Sequence, residues 1–327
     1  MIRCTVEIER WEMIEVFATS RDAITHIPVI LVTLTGVGGH VGRGEAAGVD
    51  YAGETPEGMA AQVRSVADHL HAAITTHELQ ALLPAGGARN ALDCALWDLR
   101  AKESGVPVAE RAGLAPLRPV RTVLTLGLAD EADTRRKARE SRRYPDLKLK
   151  LDADRHLDVV RIVREEHPDA RIVVDANQAW DRALLDRLEP ALRSYGVEMI
   201  EQPVRHGEDA SLDGYTGHIP LAADESCVDR SSFAELAGRY RFINIKLDKC
   251  GGLTEALSMV AAAPAHGFGL MVGNMCGTSL AMAPGMLIAQ SCTHVDLDGP
   301  LLQRLDRDHP IRFVEGMMSV PERALWG

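Results

Sequence analysis

Long apolar runs are missing from this chain of 327 residues, and none approaches the ~20 residues that a membrane-spanning helix needs. An excess of basic residues is missing too. With 36 Lys+Arg against 47 Asp+Glu the net charge is −11, which argues against nucleic acid or an anionic membrane as the main partner, since both favour a basic face. The cysteines (Cys4, Cys94, Cys227, Cys250, Cys276, Cys292) are scattered, with no C-x-x-C pair and no zinc-type spacing. That excludes a disulfide scaffold and reads as reduced thiols in the cytoplasm. The opening MIRCTVEIERWEMIEVF carries acidic residues and no apolar core, so it does not read as a secretory leader. The glycine-rich stretch 36–44 does not match G-x-G-x-x-G and no P-loop lysine follows; a mobile hairpin is its expected role. G-x-S-x-G, H-E-x-x-H and the kinase signatures are absent as well. What is present is ordinary globular composition, 46% hydrophobic and 25% charged, in a chain long enough for a real core.

Two regimes follow one another. Residues 1–116 read as α+β: strands RCTVEIERWEM and PVILVTLT, then helical stretches over roughly 56–79 and 87–104. Residues 117–300 alternate strictly. Short apolar runs start at 121, 147, 171, 197, 219, 241, 268 and 294, in steps of 22 to 27 residues, with helix-like segments between them. Eight such units predict an α/β fold of the (β/α)8 barrel kind. The tail, 301–327, has no room for another unit and is expected to pack back on the first domain.

In such a barrel catalytic groups come from the C-terminal ends of strands. Those ends carry Lys148 and Lys150, then Asp175, Glu201 and Asp224, then Lys246, then Asp296 and Asp298. Any one of these charges could be a solvated strand end. Together they form a pattern: three consecutive strands each end in one carboxylate, flanked by strands with lysines inside apolar runs. Three converging carboxylates make an oxygen-only site suited to Mg²⁺, with Asn177 able to orient the ligands. Lys148 and Lys150 share a strand face, and alternation allows either the lysines or Leu147, Leu149 and Leu151 to point inward. The adjacent carboxylates favour the lysines, which as close ammonium groups near a cation would depress one another's pKa. Strands two and six are opposite in a ring of eight, so Lys150 and Lys246 are expected to face each other. Two bases on opposite sides of one carbon are what stereoinversion by proton transfer through an enediolate requires.

The strings LKLK (147–150), VDANQAW (174–180), IEQP (200–203), ADES (223–226) and NIKLDKCGGLTEA (244–256), with ARNALDCALWDL (88–99) and DLDGP (296–300), resemble the enolase superfamily, and within it the muconate-lactonizing subgroup. The resemblance implies a modified (β/α)7β TIM barrel under an α+β capping domain. It also implies Mg²⁺ on Asp175, Glu201 and Asp224, acid/base lysines at Lys150 and Lys246, and Lys148 on the substrate carboxylate. The DLDG string resembles that of dipeptide epimerases, which implies that Asp296 and Asp298 take the substrate's α-ammonium, a cation that suits charge-assisted acceptors. Thr125 and Asn274 match substrate-lining positions, although Asn274 stands where a cysteine is expected. Arg21 resembles an arginine that holds an acidic side chain in Ala-Glu epimerases, and its loop matches poorly. The expectation is an isomerase: a cytoplasmic Mg²⁺-dependent dipeptide epimerase for L-Ala-D/L-Glu, with a cell-wall recycling role. N-succinylamino acid racemase or o-succinylbenzoate synthase is the alternative within the fold. A non-catalytic ligand-binding barrel is the alternative outside it. A homo-oligomer is compatible with the sequence, which does not decide the point.

Overall fold

The computed structural model describes residues 1–18, 23–152 and 154–327. Its first layer is an antiparallel sheet of β1 (Arg3–Ala18), β2 (Ala23–Thr35) and β3 (Val41–Ala46). Helices α1 (Pro56–Ser65) and α2 (Gly87–Ser104) belong to the same cap. Part of the glycine-rich stretch expected to be a mobile hairpin is strand β3. A Cβ on Gly42 would lie 2.2 Å from Ala95 O, and one on Gly44 2.0 Å from Ala91 O, so these glycines let α2 press directly on the strand. The expected long helix over 56–79 is two pieces. Ile2 N–H bonds to Leu70 O, and Thr75 with Glu78 forms a capping box that starts a new short helix, Thr76–Leu79.

The second layer is a curled sheet of eight parallel strands in sequence order: β4 (Leu124–Leu126), β5 (Asp146–Lys150), β6 (Arg171–Asp175), β7 (Val197–Glu201), β8 (Leu221–Ala223), β9 (Phe242–Lys246), β10 (Gly269–Gly273) and β11 (His294–Val295). All eight expected runs contribute a strand. The helix expected in every connection does not form: β7 leads to β8 through the 3₁₀ turn Asp209–Leu212, and β8 to β9 through one turn, Phe233–Leu236. These are the two shortest steps, with too few residues for a full helix and its loops. Between β4 and β11 there is no ladder among the described residues. The seam is held by Val123 N–H to Val295 O (3.0 Å), Leu297 N–H to Thr122 Oγ1 (2.9 Å) and Thr125 N–H to Asp298 Oδ2 (2.6 Å).

The run at 121 divides. Val120–Arg121 pairs with Met317–Met318 of the tail, while Leu124–Leu126 joins the sheet. The tail also reaches α2, where Asp98 accepts from Gly327 N–H and Cys94 O accepts from the Trp326 indole. No helix among the described residues is long and apolar enough to cross a membrane.

Among the groups that join cap and barrel are buried carboxylates that serve as remote helix caps or amide acceptors. Asp93 on α2 accepts from the backbone N–H (2.9 Å) and hydroxyl (2.6 Å) of Thr254, at the start of barrel helix Leu253–Ala262. Glu45 on β3 does the same for Thr278, which caps helix Ser279–Ala289.

Candidate active site

On β5, Leu147 and Leu149, with Leu151 just past its end, are fully buried against the helices, and Lys148 is 1% exposed on the opposite face. The strand is thus buried on both sides, with the lysines inside the barrel. Register then sets the neighbours: Lys150 stands beside Asp175, and Asp175 beside Glu201. Lys148 Nζ is the centre of the arrangement, at 3.0 Å from Asp175 Oδ2, 2.7 Å from Glu201 Oε2 and 2.8 Å from Asp296 Oδ2. The contact to Glu201 Oε2 is an ion contact without hydrogen-bond alignment. Lys150 Nζ donates to Asp175 Oδ2 and Lys246 Nζ to Asp224 Oδ2, each at 2.7 Å.

Three residues that the sequence reading did not single out hold these groups in place. Asn244 donates to Glu201 Oε1 (2.7 Å). Lys249, 3% exposed, donates to Asp224 Oδ1 (2.7 Å) and Asn244 O (3.0 Å). Gln202, fully buried with φ +33°, accepts from Asp224 N–H and Ser226 N–H. The signal for Lys249 was present, a lysine three residues after Lys246 on the one-turn helix Leu247–Cys250. Asn177 N–H donates to Asp175 Oδ1 at 2.9 Å, and Asn177 also holds a left-handed φ of +43° at the barrel mouth.

The carboxylates dominate the electrostatics of the lysines. Burial acts to lower Lys148, but Asp175, Asp296 and Glu201 outweigh it and hold its ammonium well above the ordinary range. Lys246 is likewise held above it, burial being outweighed mainly by Asp224. The carboxylates split. Burial would raise Asp175 and Asp224, but the lysines on them hold both far below the usual range. Burial and neighbouring Asp175 push Glu201 up to about 7.

The acidic pair is not a pair on one strand. β11 ends at Val295, and Asp298 lies beyond it at the start of the 3₁₀ turn Gly299–Leu302. Both acids are nonetheless buried, 4% and 1% exposed. Asp296 is engaged by Lys148, and Asp298 by the backbone N–H of Thr125. Burial and Asp296 push Asp298 up to about 7. Asn274 donates to Asp296 O (2.7 Å) and accepts from Cys276 N–H (2.7 Å). Arg21 lies outside the described residues.

Above this floor a cleft of about 330 Å³ opens between barrel and cap. Lys150, Lys246, Asn177 and Asn274 line its barrel side, and Phe17, Ile24, Ile27, Asp50 and Glu54 line its cap side. Two basic groups therefore enter one enclosed space from strands four apart. The donors beneath are oxygens from three adjacent strands. Among the described residues no three acidic, imidazole or thiol groups are already gathered as a cation site, and the positive charge at the point of convergence is the Lys148 ammonium.

The sequence matches the family model for the enolase C-terminal domain-like fold over residues 128–324, and that for the mandelate racemase/muconate lactonizing enzyme N-terminal domain over residues 1–113. The chain belongs to the enolase superfamily. Within that superfamily it is 37% identical to L-Ala-D/L-Glu epimerase of Escherichia coli, over 95% of this chain and 98% of that one. It is 42% identical to N-acetyl-D-glutamate racemase of a Pseudoalteromonas species, over 76% and 79%. An enolase family member from Agrobacterium tumefaciens with homology to dipeptide epimerases, solved with sodium and L-Ala-L-Glu, superposes with TM-score 0.97 at 40% identity over all of both chains. A dipeptide epimerase from Methylococcus capsulatus, complexed with Mg and L-Arg-D-Lys, superposes with TM-score 0.88 at 29% identity, over 99% of each chain. The two curated relatives are isomerases by their names, an epimerase and a racemase.

Proposed function

We propose that this enolase superfamily member is a Mg²⁺-dependent dipeptide epimerase that inverts the α-carbon of the C-terminal residue, with L-Ala-D/L-Glu as its substrate. The observation that carries the reading is the entry of Lys150 and Lys246 into one cleft from opposite sides, each hydrogen-bonded to a carboxylate. In this reading one lysine takes the α-proton and the other returns a proton to the far face. Lys148, buried beneath the cleft among Asp175, Glu201 and Asp296, would bind the substrate carboxylate. Asp175, Glu201 and Asp224 would hold Mg²⁺, and their fit is chemical: three buried carboxylates from adjacent strands, two of them already on the Lys148 ammonium and the third engaged by Lys246 and Lys249. When bound, the cation would stabilise negative charge developing on the substrate carboxylate and draw the carboxylates' field away from the lysines. Asp296 and Asp298 would accept the α-ammonium, with Thr125 and Asn274 fixing their positions. Arg21 would grip the glutamate side chain, which a guanidinium does bidentately.

A second reading is racemisation of an N-acylated glutamate. The relative of that name favours it, and so does the internal engagement of Asp296 by Lys148 and of Asp298 by Thr125, which leaves the pair less in need of an ammonium. Incubation with Mg²⁺ in D₂O, separately with L-Ala-L-Glu, N-acetyl-L-glutamate and an N-succinyl amino acid, distinguishes the readings by mass spectrometry. Deuterium at the glutamate α-carbon of the dipeptide alone is the expected result. Uptake only from the N-acyl compounds would replace the first reading by the second, and uptake from none would leave a binding protein. With the dipeptide as substrate, Arg21→Met is expected to raise KM for L-Ala-L-Glu more than for a dipeptide ending in an apolar residue.

A further inference from the structure

The cap meets the barrel at many points, but one of them adjoins a reacting group. Asp248 follows Lys246 by two residues on the one-turn helix Leu247–Cys250 and is buried. Its Oδ1 accepts the N–H of Gly48 at 2.8 Å, and it takes a side-chain hydrogen bond from Asn90 on α2. Gly48 has no freedom to shift. Its φ is +79°, a Cβ there would lie 2.6 Å from Met59 Sδ, and a Cβ on Gly87 would lie 2.7 Å from Gly48 Cα. From Gly48 the loop closes on itself: Ala52 N–H bonds to Val49 O, Gly53 N–H to Asp50 O, and Val49 N–H to Glu54 Oε2. Glu54 then accepts from Gly87 N–H at the start of α2. Loop 48–54 is therefore a stiff unit with two anchors, one inside the cap and one on the barrel. It carries Asp50 into the cleft and brings Tyr51 within electrostatic reach of Lys246. The side chains of all three lysines bond within the barrel, Lys246 to Asp224 and the other two to Asp175, Glu201 and Asp296, so among the described residues the cap contact next in sequence to a reacting lysine is that of Asp248.

We infer that Asp248 is a positioning residue: it fastens cap loop 48–54 to the Lys246 side of the cleft, so that the cap is registered to that lysine. The kinetic part of this inference rests on the proposed epimerase reading. A defect confined to the Lys246 side has an unequal signature. The epimer whose α-proton faces Lys150 would still exchange it, while inversion of both epimers and exchange of the other would fall.

The test compares the parent with Asp248→Ala, Asp248→Asn and Thr254→Val, each given Mg²⁺ and either L-Ala-L-Glu or L-Ala-D-Glu in D₂O. Deuterium entry with and without inversion is followed by mass spectrometry and chiral chromatography. Loss of the hydrogen bond that ties Gly48 to the barrel sets the scale at roughly tenfold. Asp248→Ala is expected to lower inversion by about that factor and to spare exchange in one epimer only. Asp248→Asn keeps an acceptor for Gly48 and should restore most of the activity. Thr254→Val loosens a cap contact that involves neither Asp248 nor loop 48–54 and should affect both epimers alike. Amide hydrogen exchange without substrate gives a second readout: Asp248→Ala should lose protection over 48–54, and Asp248→Asn should keep it. Equal losses from the two epimers, or unchanged protection in Asp248→Ala, would overturn the inference. A parent that exchanges no α-proton would instead overturn the proposed activity, and amide exchange would then decide by itself whether Asp248 fastens the loop.

Discussion

Lys148 and Lys150 are two residues apart on one strand, yet their surroundings assign them different work. Lys148 is enclosed by three carboxylates, whereas Lys150 meets one and reaches the cleft. A group that must accept and release a proton needs a path to the substrate, which Lys150 and Lys246 have. Lys150→Ala and Lys246→Ala should each lower epimerisation by ~10²–10⁴-fold while keeping solvent exchange on one epimer, measured as deuterium entry without inversion. A single variant that epimerises at the parent rate would refute the two-lysine scheme. The inward direction of these lysines was legible only through residue type. Both faces of β5 are buried, so alternation gave no preference, and the neighbouring carboxylates decided it. Asn244 and Gln202 were not legible, because they act on the carboxylates from other strands or strand ends, and sequence spacing does not encode such contacts; Lys249 carried a signal only as a second lysine one turn past Lys246.

At the scale of elements, the eight parallel strands could be read from sequence because each is a short apolar run between helix-like or turn-rich segments, at a nearly constant step. Connections were harder. The stretch 56–79 has buried Leu70 and Ile74 at helical spacing, yet pairing with Ile2 and the capping box at Thr75 break it. Glycines 42 and 44 looked like a loop because their role is contact distance, which composition does not report. That role gives a prediction. Gly44→Ala would drive a methyl group into Ala91 O on α2, so the cap should lose stability by about 1–3 kcal/mol, seen as a lower thermal midpoint. Gly39→Ala makes a useful control. Its φ is +82°, whereas Gly44 has no positive φ, and no atom lies within 4 Å of its added Cβ, so its cost comes from backbone strain alone.

For the whole molecule, the carboxylates between cap and barrel tie stability to pH. Burial pushes Asp93 up to about 7 despite Thr254, and Asp248 up to about 7 despite Gly48. In the unfolded chain both would titrate near the ordinary carboxylate value of ~3.9, so between about 4 and 7 the folded state binds more protons. The stabilisation from this source is complete at the acid end of that window and is lost as pH rises through about 7. The thermal midpoint should therefore fall from pH 6 to pH 8, and Asp93→Asn should flatten the slope; an unchanged slope would remove Asp93 from the account. The seam between β4 and β11 has a different consequence. These are among the shortest strands of the sheet, three and two residues, and beside them sit Thr125, Asp296 and Asp298. The lysines and the three central carboxylates lie on or just beyond strands stitched to neighbours on both sides. In the proposed reading, chemistry is thus built into the continuous fabric and recognition into its hem. New substrates could be acquired by re-cutting the hem while the reaction stayed the same.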